Sequence, residues 1–195
     1  MVKSRLLRRR TGQRSERGAV LVELTMVVPI LILITLGMLE TGLAWRDHVT
    51  VTQAARQGAR VASHLADDPQ SDQEALKSIM AVLAPESGRL DFVVIYEANG
   101  SGDVPDANCL TGSVAGVCNW YGPTEIADIN VTDAVWQSLD HDADWDPSTR
   151  IDSLTNPDHL GIHVQFNRPW ITRIFPGDGL KITGKTVMRL EPEPG

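Results

Sequence analysis

The residue whose type and position most demand chemistry is Glu23. It is the only charged side chain between Ala19 and Leu39, a stretch of 21 otherwise apolar or uncharged residues. An ionised side chain at the centre of a bilayer costs about 2.5–3.5 kcal/mol on insertion scales. Nearer the end of a span the cost falls, because the side chain can reach back toward the headgroups. One reading therefore makes Glu23 an interfacial side chain with no further task. The other gives it a positive partner. Positions 19, 20, 26 and 27 hold Ala, Val, Met and Val, so none lies one helical turn away. The partner then has to be the flanking basic head, another chain, or a new amino terminus.

Other reactive residue types are sparse. "DHDADWD" (140–146) places carboxylates at every second position. A calcium loop of the EF-hand kind needs Gly sixth and Glu twelfth; counted from Asp140 those places hold Trp145 and Ile151. The run reads as a solvated acidic loop. His141, His159 and His163 fall close in sequence but have no nucleophile arranged with them, so they form no catalytic set. Nucleophile-elbow, phosphate-loop and dinucleotide fingerprints are absent from the sequence. The reading is non-enzymatic, with no cofactor and no metal site. Cys109 and Cys118 are the two cysteines. Outside the cytoplasm they read as one disulfide closing a Gly/Ser/Thr-rich loop, worth about 2–3 kcal/mol for a loop near ten residues.

The elements that position Glu23 follow from charge and hydropathy. Seven basic residues against Glu16 give residues 1–18 a charge of +6, which leaves -13 on the remainder of a chain of net charge -7. The acidic remainder argues against nucleic acid as a partner, since it repels phosphate. The apolar run 19–39 has the length of a transmembrane helix, so the lipid bilayer is the first partner. Basic flanks stay in the cytoplasm, which places the C-terminal domain outside and Trp45 and Arg46 near the outer interface. A secretory signal peptide begins in the same way, but this apolar core is longer and no convincing small-x-small site follows it. Pro29 removes a backbone donor in mid-span and predicts a helix kink.

Beyond the span, residues 40–66 contain no proline and predict a helical stalk. Ala55, Gly58, Ala59, Ala62 and Ala66 recur on it at helical spacing. Such a small-residue stripe suits close packing, either against the protein's own domain or against another subunit's helix. Residues 67–195 predict a separate outer domain. A cap at Ser71, with Glu74 three residues later, starts a helix over about 72–84. Strands follow at 89–98, 160–168 and 180–191, with a short helix near 133–139 and a turn-rich segment over "PWITRIFPGDG". The fold class is α+β: a long N-terminal transmembrane and stalk helix followed by a small antiparallel-sheet extracytoplasmic domain.

Two resemblances rest on particular residues. Gly18-Ala19-Val20-Leu21-Val22-Glu23 resembles the processing site of type IV pilin-like proteins. In these a membrane peptidase cuts after a glycine and leaves a glutamate as the fifth mature residue. "RGAVLVELTMVVPILILITLGMLETG" and "TQAARQGARVAS" together resemble the TadE-like family of tight-adherence (Flp-type) pilus systems. The residues that carry this are Arg17, Gly18, Ala19, Glu23, Pro29, Gly37, Glu40, Ala54, Ala55, Arg56, Gly58, Ala59 and Arg60. Thr41 stands where family members often have an aromatic residue. "GLKITGKTVMRLEP" also looks like the end of such proteins.

The resemblance implies cleavage by a prepilin peptidase between Gly18 and Ala19. It gives Glu23 a role in setting register, by pairing with the new amino group on a neighbouring subunit. It also implies other pilin-like or TadE/TadF-like subunits and the pilus assembly machinery as partners. The function it points to is a minor pilin or pseudopilin of a tight-adherence pilus or related secretion apparatus. Two rivals remain at this stage: an uncleaved single-pass anchor that displays a ligand-binding domain, and a membrane-tethered hydrolase using the acidic loop.

Overall fold

The computed structural model describes residues 13–173 and 176–192. Most of the basic leader lies outside the described residues, as do Ile174 and Phe175 of the turn-rich segment. The chain divides into two compact units, residues 1–42 and 43–195.

Helix α1 (Gln13–Leu65) supplies the described part of the first unit and the opening element of the second. The helical assignment continues without a break through Pro29. In the first unit Thr25 and Thr35 turn their hydroxyls back to the carbonyls of Val22 (2.7 Å) and Leu31 (2.8 Å), which satisfies them without solvent.

The second unit places residues 43–65 of α1 and helix α2 (Ser71–Leu83) on one face of an antiparallel sheet. Its strands are β1 (Leu90–Ala98), β2 (Cys118–Tyr121), β3 (His159–Arg168) and β4 (Leu180–Arg189), in the order β2-β1-β3-β4. Two short helices, α3 (Pro123–Ala127) and α4 (Asp133–Ser138), lie in the connection from β2 to β3.

Period-2 patterning decides which side chains face the helices. Val93, Ile95, Ile162, Val164 and Phe166 point into the main core, where they meet Val51, Ala59, Leu76 and Ile79. The opposite face carries a smaller cluster of Phe92, Val94, Tyr96 and the two half-cystines, with Trp120 packed against it.

Four contacts fix how α1 lies on the sheet within this unit. Asp47 pairs with Arg168, both buried. The backbone of Val51 passes so close to Gly184 that a Cβ there would meet the Val51 carbonyl carbon at 2.7 Å. A Cβ on Gly58 would meet Ile79 Cδ1 at 2.6 Å and Ile162 Cδ1 at 3.2 Å. The backbone N–H of Glu191 donates to the carbonyl of Ser63 at 2.8 Å. Position on α1 rises as position on β3 falls, so the two elements run side by side in opposite directions.

The structure corrects three details of the sequence reading. Ser71 does not cap α2: Gln70 occupies the cap position with no side-chain bond, and the Ser71 hydroxyl donates to the carbonyl of Ala62 at 3.2 Å. Asp68 does the local turn-forming instead, accepting the N–H of Gln70 at 2.7 Å. Cys118–Tyr121, outside the three strands expected from the sequence, forms β2 against β1. The region 123–138 contains two short helices where one was expected.

Candidate assembly helix and processing site

The residues singled out at the N-terminus lie on one uncovered helix. Among the described residues, one helix is long and apolar enough to cross a membrane, and none of its apolar window is buried. Leu21, Met26, Ile30, Leu33 and Met38 all stand exposed. Uncovered apolar surface on this scale marks a contact with lipid or protein. Gly18 has nothing within 4 Å of where a Cβ would sit, and Ala19 and Glu23 are likewise exposed. Ala19 and Glu23 are four residues apart and therefore share a helix face. The threonine hydroxyls nearby bond to their own helix, so Glu23 is the polar group of this surface that the helix does not itself satisfy.

The small-residue stripe is used differently. Ala55, Gly58, Ala59 and Ala62 are buried inside the second unit, against its own α2 and sheet. Arg56 and Arg60, on the opposite side of the helix, are exposed. Cys109 and Cys118 form a disulfide with Cα atoms 6.1 Å apart.

The acidic run 140–146 is built into local structure. Asp142 accepts from Trp136 Nε1 at 3.2 Å, and burial together with the Asp72 charge raises its pKa. Asp146 accepts from the N–H and hydroxyl of Ser148 at 2.9 and 2.8 Å. No group of three or more potential metal ligands occurs among the described residues.

The three histidines are apart in role. The ring of His141 meets Trp136 edge-on at 5.0 Å, and its Nε2 lies 3.3 Å from Asp128. His159 opens β3. His163 stacks on Phe92, with ring centroids 6.1 Å apart, on the second sheet face; burial and the charge of Lys185 lower its pKa.

Sequence reasoning missed a buried polar knot. Asp72, in the first turn of α2, pairs through Oδ1 with Arg150 Nη2 at 2.7 Å, both side chains fully buried. Its Oδ2 accepts from Tyr121 Oη at 2.6 Å and Asn119 Nδ2 at 2.9 Å. Asn119 also accepts the N–H of Trp145 at 2.7 Å, and the Arg150 guanidinium lies 4.2 Å over the Trp145 ring. Tyr121 is held well above its ordinary pKa, first by burial and then by the Asp72 charge. The knot joins α2, β2 and the 145–150 segment, and its members span 79 positions of sequence, which left no local signal. It is enclosed, so it reads as architecture rather than as a binding site.

These elements define a class: a chain with an uncovered, membrane-length N-terminal helix bearing one carboxylate, followed by a disulfide-closed α+β domain. The helix is TadE-like in sequence, because residues 18–60 match the family model described as TadE-like protein. That match starts at Gly18, covers Glu23, Pro29 and most of the buried stripe, and stops before the greater part of the domain. It suggests a membrane-anchored protein associated with a tight-adherence pilus. No curated protein and no solved structure matches the chain.

Proposed function

We propose that this chain is a single-pass, TadE-like minor pilin or pseudopilin that takes part in assembling a tight-adherence pilus or a related secretion apparatus. Its leader, residues 1–18, lies in the cytoplasm and is removed by a prepilin peptidase after Gly18. Residues 19–39 cross the membrane, residues 40–66 lead out of it, and the domain stands on the far side. The observation that carries this reading is the wholly exposed apolar window that follows Gly18, with one carboxylate five residues on. The Cys109–Cys118 disulfide supports the orientation, since disulfides persist outside the reducing cytoplasm.

Glu23 acts in assembly. Cleavage leaves a protonated amine on Ala19, and the carboxylate of a neighbouring subunit's Glu23 pairs with it. In hydrocarbon an unpaired charge is costly, so this pairing selects one register between adjacent helices. Pro29 locally loosens the helix by removing one donor.

N-terminal sequencing of the membrane-extracted protein is the test. A chain beginning at Ala19 is expected; one beginning at Met1 or Val2 overturns the cleavage. Glu23→Ala is expected to leave the protein inserted and cleaved but absent from assembled pili, whereas normal assembly with that variant overturns the register role.

A further inference from the structure

The second unit has two unlike ends. At one, the connection from β3 to β4 leaves the sheet beside Asp47 of α1, fastened there by the buried Arg168–Asp47 pair. Arg89 lies 3.9 Å from the same carboxylate. The base of the connection is held tightly as well: at Gly179, with φ +151°, a Cβ would fall 2.2 Å from the Arg168 carbonyl oxygen. Apolar side chains point outward from this end, with Ile171 61% exposed and Leu180 40%. Trp45, two residues before Asp47, is 70% exposed. Exposed cations stand among them, Arg46, Arg173 and Lys181, together with one exposed carboxylate, Asp178.

The other end, where β3 begins and β4 finishes, lies nine residues of strand away, about 30 Å. Its charged residues are mixed: Glu97, Asp152 and Glu191 lie there with the exposed Arg189, and His64 lies 3.5 Å from Glu191. Leu154 is exposed there too, at 81%, joined to the end of β4 by the bond from Arg189 Nη2 to its carbonyl at 3.3 Å.

Aromatic, aliphatic and cationic side chains exposed together are the composition of a membrane–water interface, where tryptophan sits at headgroup level and arginine or lysine reaches phosphate. Chain length bounds how far one of these ends can lie from lipid. Trp45 follows the last residue of the apolar span, Leu39, by six positions, so even a fully extended chain keeps it within about 22 Å of the hydrocarbon edge. The ion pair at Asp47 then brings the β3–β4 connection to the same level of α1 as Trp45.

We infer that described residues at this end of the sheet form a second membrane contact: Ile171 and Leu180 enter the interfacial layer of the bilayer while Arg173 and Lys181 meet lipid phosphate. The inference rests on the membrane-span reading above. A single helix leaves a domain free to rotate and tilt. A second contact beside it fixes which face of the domain turns toward the membrane, and so which face a partner subunit meets.

The test uses the full chain reconstituted in phosphatidylcholine–phosphatidylglycerol vesicles, with the native disulfide kept oxidised. Single cysteines replace Ile171, Trp45, Leu154 and Leu33 in turn, each labelled with an environment-sensitive fluorophore. Lipids carrying a nitroxide on the headgroup or mid-chain are the quenchers. Headgroup quenching at 171 is expected within about two-fold of that at 45, with little at 154. Quenching at 171 no greater than at 154, with position 33 strongly quenched by the mid-chain nitroxide, overturns this contact and leaves the span intact. Failure to quench position 33 overturns the span, and this inference with it.

Discussion

Arg150→Met tests whether the buried knot holds the domain together. The substitution keeps much of the side chain's volume and its packing on Trp145, but removes the guanidinium. Asp72 keeps the hydrogen bonds from Tyr121 and Asn119 and loses its countercharge at 2.7 Å. Removing one partner of a buried pair costs about 3–5 kcal/mol, because the remaining charge is left uncompensated. Small domains are stable by about 5–15 kcal/mol, so about a fifth or more of the total is at stake. In a unit of this size each kcal/mol moves the midpoint by about 2–4 °C, giving a fall of about 6–20 °C. Thermal unfolding of the detergent-solubilised chain, followed by near-ultraviolet circular dichroism, reads it. Adding Asp72→Asn removes the stranded charge and keeps an acceptor for Tyr121. The loss in the double variant is therefore expected to be at least about 1 kcal/mol smaller than the sum of the two single losses. Strict additivity would show that the two charges do not stabilise each other, and would refute the argument.

Close approach of α1 to the sheet predicts a contrast between two glycines. Gly184→Ala drives a methyl into the Val51 backbone and should cost about 1–3 kcal/mol in urea unfolding. Gly58→Ala meets Cγ1 and Cδ1 of the buried Ile79, both at 2.6 Å, so that side chain must repack; about 1 kcal/mol of helix propensity offsets part of this, and the net loss should be smaller than at Gly184. Reducing the Cys109–Cys118 bond should lower stability by about 2–3 kcal/mol, read as a lower midpoint with reductant than without. His163 has a folded pKa below its ordinary 6.5, so below that value the unfolded chain takes up a proton that the folded chain refuses. Its contribution is fully present above pH 6.5 and fades as the pH falls toward the folded value. His163→Leu should flatten that part of the stability–pH curve, and an unchanged slope would count against it.

The parts of the fold that the sequence made legible are those with a strong local period. The apolar run 19–39 needs no partner to be recognised, and the alternation through Ile162, Val164 and Phe166 specifies a strand with one buried face. The stripe Ala55–Ala62 announced close packing, and the structure supplied the surface: the protein's own α2 and sheet. What stayed hidden depends on tertiary context. Strand β2 is four residues long and pairs only because β1 offers an edge. Ser71 has the composition of a cap, but it is buried with its hydroxyl turned to the last turns of α1, so a tertiary acceptor prevails over the local one. Asp72, Asn119, Tyr121 and Arg150 are ordinary residues in sequence and become a knot only when three segments meet. At the candidate site, Glu23 stands out by type and position, because a lone carboxylate in an apolar run is conspicuous without any fold; Gly18 and Ala19 stand out only through the family resemblance.

The side-by-side course of α1 and β3 also has a mechanical meaning. Traction applied along the axis of α1 within this unit would meet the Asp47–Arg168 ion pair, the Glu191–Ser63 hydrogen bond and the close packing of Val51 on Gly184 and Gly58 on Ile162 as attachments loaded in parallel. In that geometry the attachments must give way together, whereas a peeling force would take them one at a time. A pull delivered through residues 43–65 is thus spread along the length of the sheet, and within the second unit α1 is fastened as a lap joint.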